Sequence, residues 1–203
     1  MKQPPANWIE ILAGAAQDKD TLAEEEMRFL NYVSDWWGIL CLSQRRDSVL
    51  MWGHYCDKPL GLVIGFDKSA AVFRKAKAMR PVNYVGKRIV FDTSWDSRSP
   101  ELANYEDQII FSKSEEWKYE QELRQAFQLR DLQRRPLGEK GTLAHFLPIG
   151  REVVVSVTLG PRCSPEQENY VRLILQQPGF SHVKLDRARV DEDNFSLRFE
   201  PIS

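Results

Sequence analysis

The segment Trp117–Arg124 constrains the fold most, because charged residues occupy every second position along it. Successive side chains of a β-strand point to opposite faces of the sheet. A strand here would place Glu120, Glu122 and Arg124 in one row, and the other face would carry Trp117, Tyr119, Gln121 and Leu123. Neighbouring carboxylates repel each other, and a nearby guanidinium stabilises them. The alternation therefore predicts a strand, from residue 120 to 129, that carries a charged row.

Two interpretations of this charged row stay open at the level of the residues. The row can be a solvated surface, and the same residues also fit a helix in which Glu120 and Arg124 form an i,i+4 ion pair. Alternatively the row belongs to a functional site, where ionisable groups converge. The spacing by itself favours the surface interpretation.

Composition bounds the class of protein. The 203 residues are 42% hydrophobic and 28% charged, which is typical of one globular domain. A net charge of -1 gives no basic excess for phosphate binding, so a nucleic-acid partner would need a local patch. The sequence shows no signal peptide and no membrane-spanning run, so we expect a cytoplasmic protein with no membrane partner. Cys41, Cys56 and Cys163 lack metal-ligand spacing and predict reduced thiols, and we expect no metal.

The patterns of apolar residues predict an α+β fold with a mixed or antiparallel sheet and flanking helices. We expect a helical N-terminal segment over residues 1–37 and a single α+β domain over 38–203. The predicted strands are 39–42, 62–66, 82–85, 88–91, 120–129, 153–159, 183–185 and 195–199. The predicted helices follow residue 20 and cover 49–52, 67–77, 99–111 and 164–177, and an exposed loop is predicted at 130–141.

Two motifs carry a resemblance to a known family. The first is Leu50-Met51-Trp52-Gly53-His54-Tyr55, followed by the apolar stretch Gly61–Asp67, and the second is Lys113-Ser114-x-x-Trp117-Lys118-Tyr119-Glu120-Gln121-Glu122-Leu123-Arg124. Leu40–Ser43 and Val157–Gly160 supply the matching setting. Together they resemble a bacterial family catalogued as domain of unknown function 2971, from about residue 38 to the C-terminus.

The resemblance implies a fold and a reaction like those of ADP-ribosyltransferases, with NAD or a related small molecule as substrate. Glu120-x-Glu122 resembles the Glu-x-Glu motif of that fold. The resemblance implies that Glu122 bonds the nicotinamide ribose and stabilises oxocarbenium-like charge. It implies that Glu120 orients or activates the nucleophile of a protein or nucleic-acid acceptor.

The same resemblance implies roles for five neighbouring residues. Tyr55 would stack on the nicotinamide ring, and His54 would hydrogen-bond a ribose or phosphate. Arg88 and Lys113 are candidate phosphate contacts, and Arg124 would pair with a glutamate and hold it in place.

The usual opening of the family is not found here. That opening is a Tyr-(His/Lys)-Tyr/Phe strand, a helix and an Asn-Asp-Pro turn, whereas residues 1–37 match only the helical linker that follows it. We expect either a natural short form or a fragment of a longer protein. In ADP-ribosyltransferases the first strand carries a residue that grips the dinucleotide.

Each neighbouring candidate also has a structural interpretation. His54 after an apolar turn can be a hydrogen-bonded structural histidine. Tyr55 and Trp52 can be core aromatics, since both follow an apolar run. Lys113 can cap a helix end, and Arg88 can merely flank a strand.

Three classes of function remain. The leading hypothesis is an ADP-ribosyltransferase-like toxin or phage-defence effector in which Glu122 is essential. The second is a non-catalytic protein-interaction module or truncated remnant of the family. The third is a nuclease in which Glu120 and Glu122 hold Mg²⁺, although the sequence does not identify the further carboxylates required. The sequence has no glycine-rich dinucleotide fingerprint: Gly61-x-x-x-Gly65 lies on a predicted strand and not at a helix N-terminus, which excludes a Rossmann dinucleotide site.

Overall fold

The computed structural model describes residues 19–57, 60–75, 77–89, 100–138 and 141–202. The α-helices are Lys19–Trp36 (α1), Val49–Tyr55 (α2), Pro100–Phe111 (α3) and Pro165–Leu175 (α4). The strands are Trp37–Ser43 (β1), Leu62–Phe66 (β2), Lys77–Pro81 (β3), Asn83–Val85 (β4), Ser112–Ser114 (β5), Glu122–Gln128 (β6), Gln133–Leu137 (β7), Thr142–Phe146 (β8), Val154–Leu159 (β9), Lys184–Val190 (β10) and Leu197–Pro201 (β11). Short 3₁₀ segments cover Ala71–Arg74, Glu115–Glu120, Leu129–Asp131 and Arg151–Val153.

Mixed and antiparallel sheets with flanking helices confirm the predicted α+β class. One sheet has the strand order β1–β6–β3, and a four-stranded sheet has the order β11–β10–β9–β2. In the latter, β9 and β10 run parallel, and the other neighbours are antiparallel. β4 and β5 form a parallel pair, and β7 and β8 an antiparallel hairpin. Within the described ranges, no helix is both long and apolar enough to cross a bilayer.

The described residues belong to two compact units, each built from segments that are separate in the chain. The first unit contains the described residues that fall within Met1–Cys41, Ala76–Lys118 and Leu123–Phe146. The second unit contains those that fall within Leu42–Lys75, Tyr119–Glu122 and Leu147–Ser203. The boundary expected between residues 37 and 38 stays a prediction.

The core of the first unit joins α1, α3 and β6. Its buried members are Phe29, Val33, Tyr105, Ile110, Phe111 and Ala126. Burial, reinforced by the negative charge of Glu26, raises the pKa of Tyr105 to about 12.

Ion pairs tie β3 to α3 in the same unit. Lys77 Nζ lies 2.9 Å from Glu106 Oε1, and Arg80 bonds the carboxylate of Asp107. The Arg80 guanidinium carbon also lies 3.8 Å from the centroid of the Phe111 ring. Cationic side chains on β3 thus meet both the acidic face and the aromatic end of α3.

In the second unit, α4 makes the crossover between the parallel strands β9 and β10. Ser164 caps the helix: its hydroxyl accepts from the Gln167 amide at 3.2 Å, and the Gln167 side chain accepts from the Ser164 amide at 3.1 Å. Pro165 occupies the first helical position, where no amide hydrogen is needed. This start confirms the prediction made from Ser164 and Pro165. Val157, Leu159, Cys163 and Val171 form the core beneath the helix.

The short helix α2 is fixed to the same unit at its first turn. Ser48 caps the helix by accepting from the amide of Met51 at 3.4 Å. Trp52 is buried with Cys56 and Ala188, and its Nε1 donates to the carbonyl of Arg46 at 2.7 Å. This anchor sets the direction in which the end of α2 points.

Two predicted segments are wrong. The predicted helix at 67–77 is a 3₁₀ segment followed by β3, because Asp67 accepts bonds from Ser69 and the chain then closes short i+3 turns around the buried Phe73. The predicted loop at 130–141 contains a 3₁₀ turn and β7, which pairs with β8. All five residues of β7 are exposed, so its sequence lacks the apolar alternation of a strand.

Two other expectations concern the strand predicted at 88–91 and the state of the cysteines. Arg88 and Ile89 lie outside any strand, and the rest of the strand predicted at 88–91 lies outside the described residues. Cys41, Cys56 and Cys163 are free thiols, as predicted.

Removal of the α4 cap gives a test of this fold. We expect Ser164→Ala to lower the free energy of unfolding by about 1 kcal/mol, because the helix loses a hydrogen bond to its first turn. Ser164→Asp retains an acceptor at this position and serves as the control. Urea denaturation measures both, and an unchanged midpoint in Ser164→Ala would contradict the assignment of this cap.

Candidate functional site

Helix α2 carries two of the candidate side chains, Trp52 in its middle and Tyr55 at its C-terminal end. Trp52 is 2% exposed and confirms the core interpretation for that residue. That interpretation is wrong for Tyr55, the last residue of the helix, which is 61% exposed. The Tyr55 hydroxyl bonds a carboxylate, and its ring stays at the surface.

That carboxylate is Glu120, whose Oε1 accepts from the Tyr55 hydroxyl at 3.0 Å. The two residues are 65 positions apart in the sequence and belong to the same unit. A phenol that donates to an ionised carboxylate forms a stronger bond than a neutral pair does. The structure therefore brings together two of the residues that the sequence singled out.

Glu120 and Glu122 flank a turn, and they do not share an unbroken strand. Glu120 ends the 3₁₀ segment Glu115–Glu120, and Glu122 begins β6. Gln121 between them has φ 45°, in the left-handed region. The predicted strand from residue 120 is thus wrong at its start, because the left-handed residue breaks the alternation before Glu122.

Both glutamates are buried. Glu120 is 3% exposed and Glu122 is 4% exposed, so the solvated-surface interpretation is wrong for both, and the helical one is wrong as well. A buried carboxylate needs hydrogen-bonding or charged partners, since its transfer out of water is costly. Two buried carboxylates within three residues therefore give this turn an unfavourable desolvation free energy.

His54 joins the aromatic surroundings of this turn. Its ring centroid lies 6.2 Å from that of Tyr55 and 6.3 Å from that of Tyr119. The side chain is exposed. A contact of His54 with a ribose or phosphate stays a prediction.

Arg124 holds the end of a helix. Its Nη1 donates to the carbonyl of Ile110 at 2.7 Å and to that of Ser112 at 3.2 Å. These carbonyls lie at the C-terminal end of α3, where a cation also meets the negative end of the helix dipole. The predicted pairing of Arg124 with a glutamate stays a prediction.

The two candidate phosphate contacts belong to the first unit. Lys113 lies in β5, and its Nζ is 4.9 Å from the centroid of the Trp117 ring, which makes a cation–π contact. Arg88 is exposed and follows β4. Their roles in phosphate binding stay predictions.

The chemistry available at the Glu120–Glu122 turn is that of fixed negative charge. Away from water, a carboxylate stabilises a developing positive charge more strongly than a solvated one does. Among the residues for which the structure gives positions, no group of three or more His, Cys, Asp or Glu side chains could hold a metal ion.

Sequence reasoning missed a side chain that hydrogen-bonds the backbone of this turn. The Ser43 hydroxyl donates to the carbonyl of Glu120 at 2.7 Å. Ser43 ends the stretch Leu40–Ser43, which belongs to the setting of the two motifs. That position was the available signal, but nothing in the residue type reveals its partner.

Residues 51–125 match the model of a family described as proteins of unknown function, DUF2971. This match confirms the resemblance over that segment, which includes most of α2 and the whole Glu120–Glu122 turn. Comparison with curated proteins and with solved structures gives no match.

We expect Tyr55→Phe to lower the free energy of unfolding by roughly 1.5 kcal/mol, because the buried carboxylate of Glu120 loses a donor. Tyr170→Phe is the matched control, since Tyr170 is 67% exposed and its replacement should change stability by less than about 0.5 kcal/mol. Chemical denaturation of the two variants gives the comparison. Equal stability losses would show that the Tyr55–Glu120 bond contributes nothing.

Proposed function

We propose that this chain is an ADP-ribosyltransferase-like enzyme that cleaves the glycosidic bond between nicotinamide and ribose in NAD. The observation that carries the proposal is the buried Glu120–Glu122 pair, with the Tyr55 hydroxyl 3.0 Å from Glu120 Oε1. The resemblance of the surrounding motifs to DUF2971, and of Glu-x-Glu to the transferase motif, supports it. We also propose that the protein acts as a bacterial toxin or a phage-defence effector.

Glu122 is assigned the electrostatic role. When the glycosidic bond breaks, nicotinamide leaves with the electron pair and positive charge develops on the ribose. A carboxylate held near that charge stabilises the transition state, and its burial limits screening by water. Glu122 would also accept a hydrogen bond from a ribose hydroxyl.

Glu120 is assigned to the incoming nucleophile. A carboxylate can accept the proton that the nucleophile loses as it bonds the ribose carbon. The Tyr55 hydroxyl fixes one oxygen of Glu120, and the exposed ring of Tyr55 can stack on nicotinamide. His54, with Tyr55 beside it, is assigned to a ribose or phosphate, and Arg88 and Lys113 to phosphate.

A competing candidate is a non-catalytic protein-interaction module. The near-complete burial of both glutamates favours it, since buried carboxylates also serve purely structural ends. In that case Glu122→Gln leaves any cellular phenotype unchanged. Growth of bacteria that express the wild-type or the Glu122→Gln chain separates the candidates, provided that both chains fold.

We expect Glu122→Gln to lower kcat/KM for nicotinamide release from NAD by about 100-fold to 1,000-fold, because the transition state loses a compensating charge. Glu116→Gln is the matched control, since Glu116 is an exposed glutamate in the 3₁₀ segment that precedes the turn. Its rate should stay within about twofold of wild type. Release of labelled nicotinamide measures the rates, and equal rates in all three proteins would exclude the proposed role of Glu122.

Glu120→Gln should separate transfer from hydrolysis. If Glu120 activates the acceptor, the variant loses transfer by roughly 100-fold but retains hydrolysis of NAD, in which water is the nucleophile. Labelled ADP-ribose attached to cell-lysate protein or RNA, measured against free ADP-ribose, gives the ratio. An unchanged ratio would contradict this division of roles.

A further inference from the structure

The turn between the two glutamates is held in an unfavourable conformation. Gln121 has φ 45°, where a side chain with a Cβ crowds the following carbonyl and which residues other than glycine, asparagine and aspartate seldom adopt. Such a conformation persists only where the surroundings enforce it.

The end of β1 supplies two hydrogen bonds to this turn. The Ser43 hydroxyl donates to the carbonyl of Glu120 at 2.7 Å, and the amide of Gln44 donates to the carbonyl of Gln121 at 3.1 Å. The first carbonyl belongs to the peptide before the Gln121 Cα atom and the second to the peptide after it. Because φ and ψ of Gln121 relate these two peptide planes, the pair of bonds restrains both angles.

The hydroxyl of Ser43 is itself oriented. The amide of Arg45 donates to its oxygen at 3.0 Å, so the single hydroxyl proton is free to point elsewhere. The carbonyl of Glu120 at 2.7 Å is nearer than that of Arg45 at 3.1 Å, and it is the better acceptor for that proton.

We infer that Ser43 is a positioning residue for the glutamate pair, and this inference rests on the proposed function. An extended Gln121 would put Glu120 and Glu122 on the same face of one strand. The left-handed Gln121 takes Glu120 out of that row, and the Glu120 carboxylate bonds Tyr55. Ser43 and Gln44 thus set the angle between a carboxylate assigned to the ribose and one assigned to the acceptor.

The experiment compares Ser43→Ala, Ser43→Thr and Gln121→Gly with wild type. Ser43→Thr keeps the hydroxyl and is the conservative rescue. Asp57→Gly is the matched backbone control, because Asp57 has φ 44°, also in the left-handed region, and lies in a turn outside the proposed machinery. The readouts are the exchange rate of the Gln44 amide hydrogen, the carbon-13 shift of the Glu120 carboxylate, and kcat and KM for NAD cleavage.

We expect Ser43→Ala to raise the exchange rate of the Gln44 amide about tenfold and to shift the Glu120 carboxylate signal, because the turn is no longer clamped. Its kcat should fall about tenfold with little change in KM, and Ser43→Thr should restore all readouts. Gln121→Gly should leave the exchange rate of the Gln44 amide near the wild-type value, because glycine adopts φ 45° without crowding and both hydrogen bonds to the turn remain. Asp57→Gly should leave kcat unchanged.

The outcomes separate this inference from the proposed function. Wild-type exchange and an unshifted carboxylate in Ser43→Ala overturn the positioning role, whatever the activity. If the wild-type chain does not cleave NAD, the proposed function is wrong, and the exchange and carbon-13 readouts still decide whether Ser43 positions the pair. If Ser43→Thr changes the exchange rate and the carbon-13 shift as much as Ser43→Ala does, the hydroxyl is not what positions the turn, and the inference is overturned.

Discussion

The cost of removing carboxylates from water governs the arrangement around Glu120 and Glu122. A buried carboxylate is tolerated where donors replace its hydration shell, and the Tyr55 hydroxyl is one such donor for Glu120. To supply it, α2 must end where it does, which depends on the burial of Trp52 in the middle of the helix. The backbone carbonyls of the same turn accept hydrogen bonds from the Ser43 hydroxyl and the Gln44 amide. The contacts that compensate the buried carboxylate and those that hold the backbone conformation therefore lie at the same turn.

Much of the fold follows from local sequence signals. Ser164 and Pro165 indicate the start of α4, and the apolar run after Val153 indicates β9. Both can be predicted because the interactions involved lie within a few residues of each other in the sequence. β7 could not be predicted from local signals, because all its residues are exposed and it has no apolar face. It forms a strand through its pairing with β8. The helix predicted after Asp67 is wrong because an aspartate can either cap a helix or close a turn. Here its side chain accepts from the Ser69 amide and closes a tight turn.

The candidate site is predictable only in part. The resemblance selected Tyr55 and Glu120, which the structure joins by a hydrogen bond, yet their spacing in the chain says nothing of contact. The burial of Glu120 and Glu122 depends on tertiary packing, so the charged row looks like a surface pattern in the sequence. The left-handed Gln121 has no signal at all, because glutamine does not favour that region and the bonds that hold it come from residues 43 and 44.

The chain visits the second unit three times, and the middle visit is only Tyr119–Glu122. These four residues make hydrogen bonds to Ser43 and Tyr55, which lie 77 and 65 positions from Glu120 in the sequence. Closing such long loops carries an entropic penalty and slows folding. Neither unit is one continuous segment, so a single cut of the chain cannot release either of them whole, and a cut between residues 43 and 120 would also separate Ser43 from Glu120.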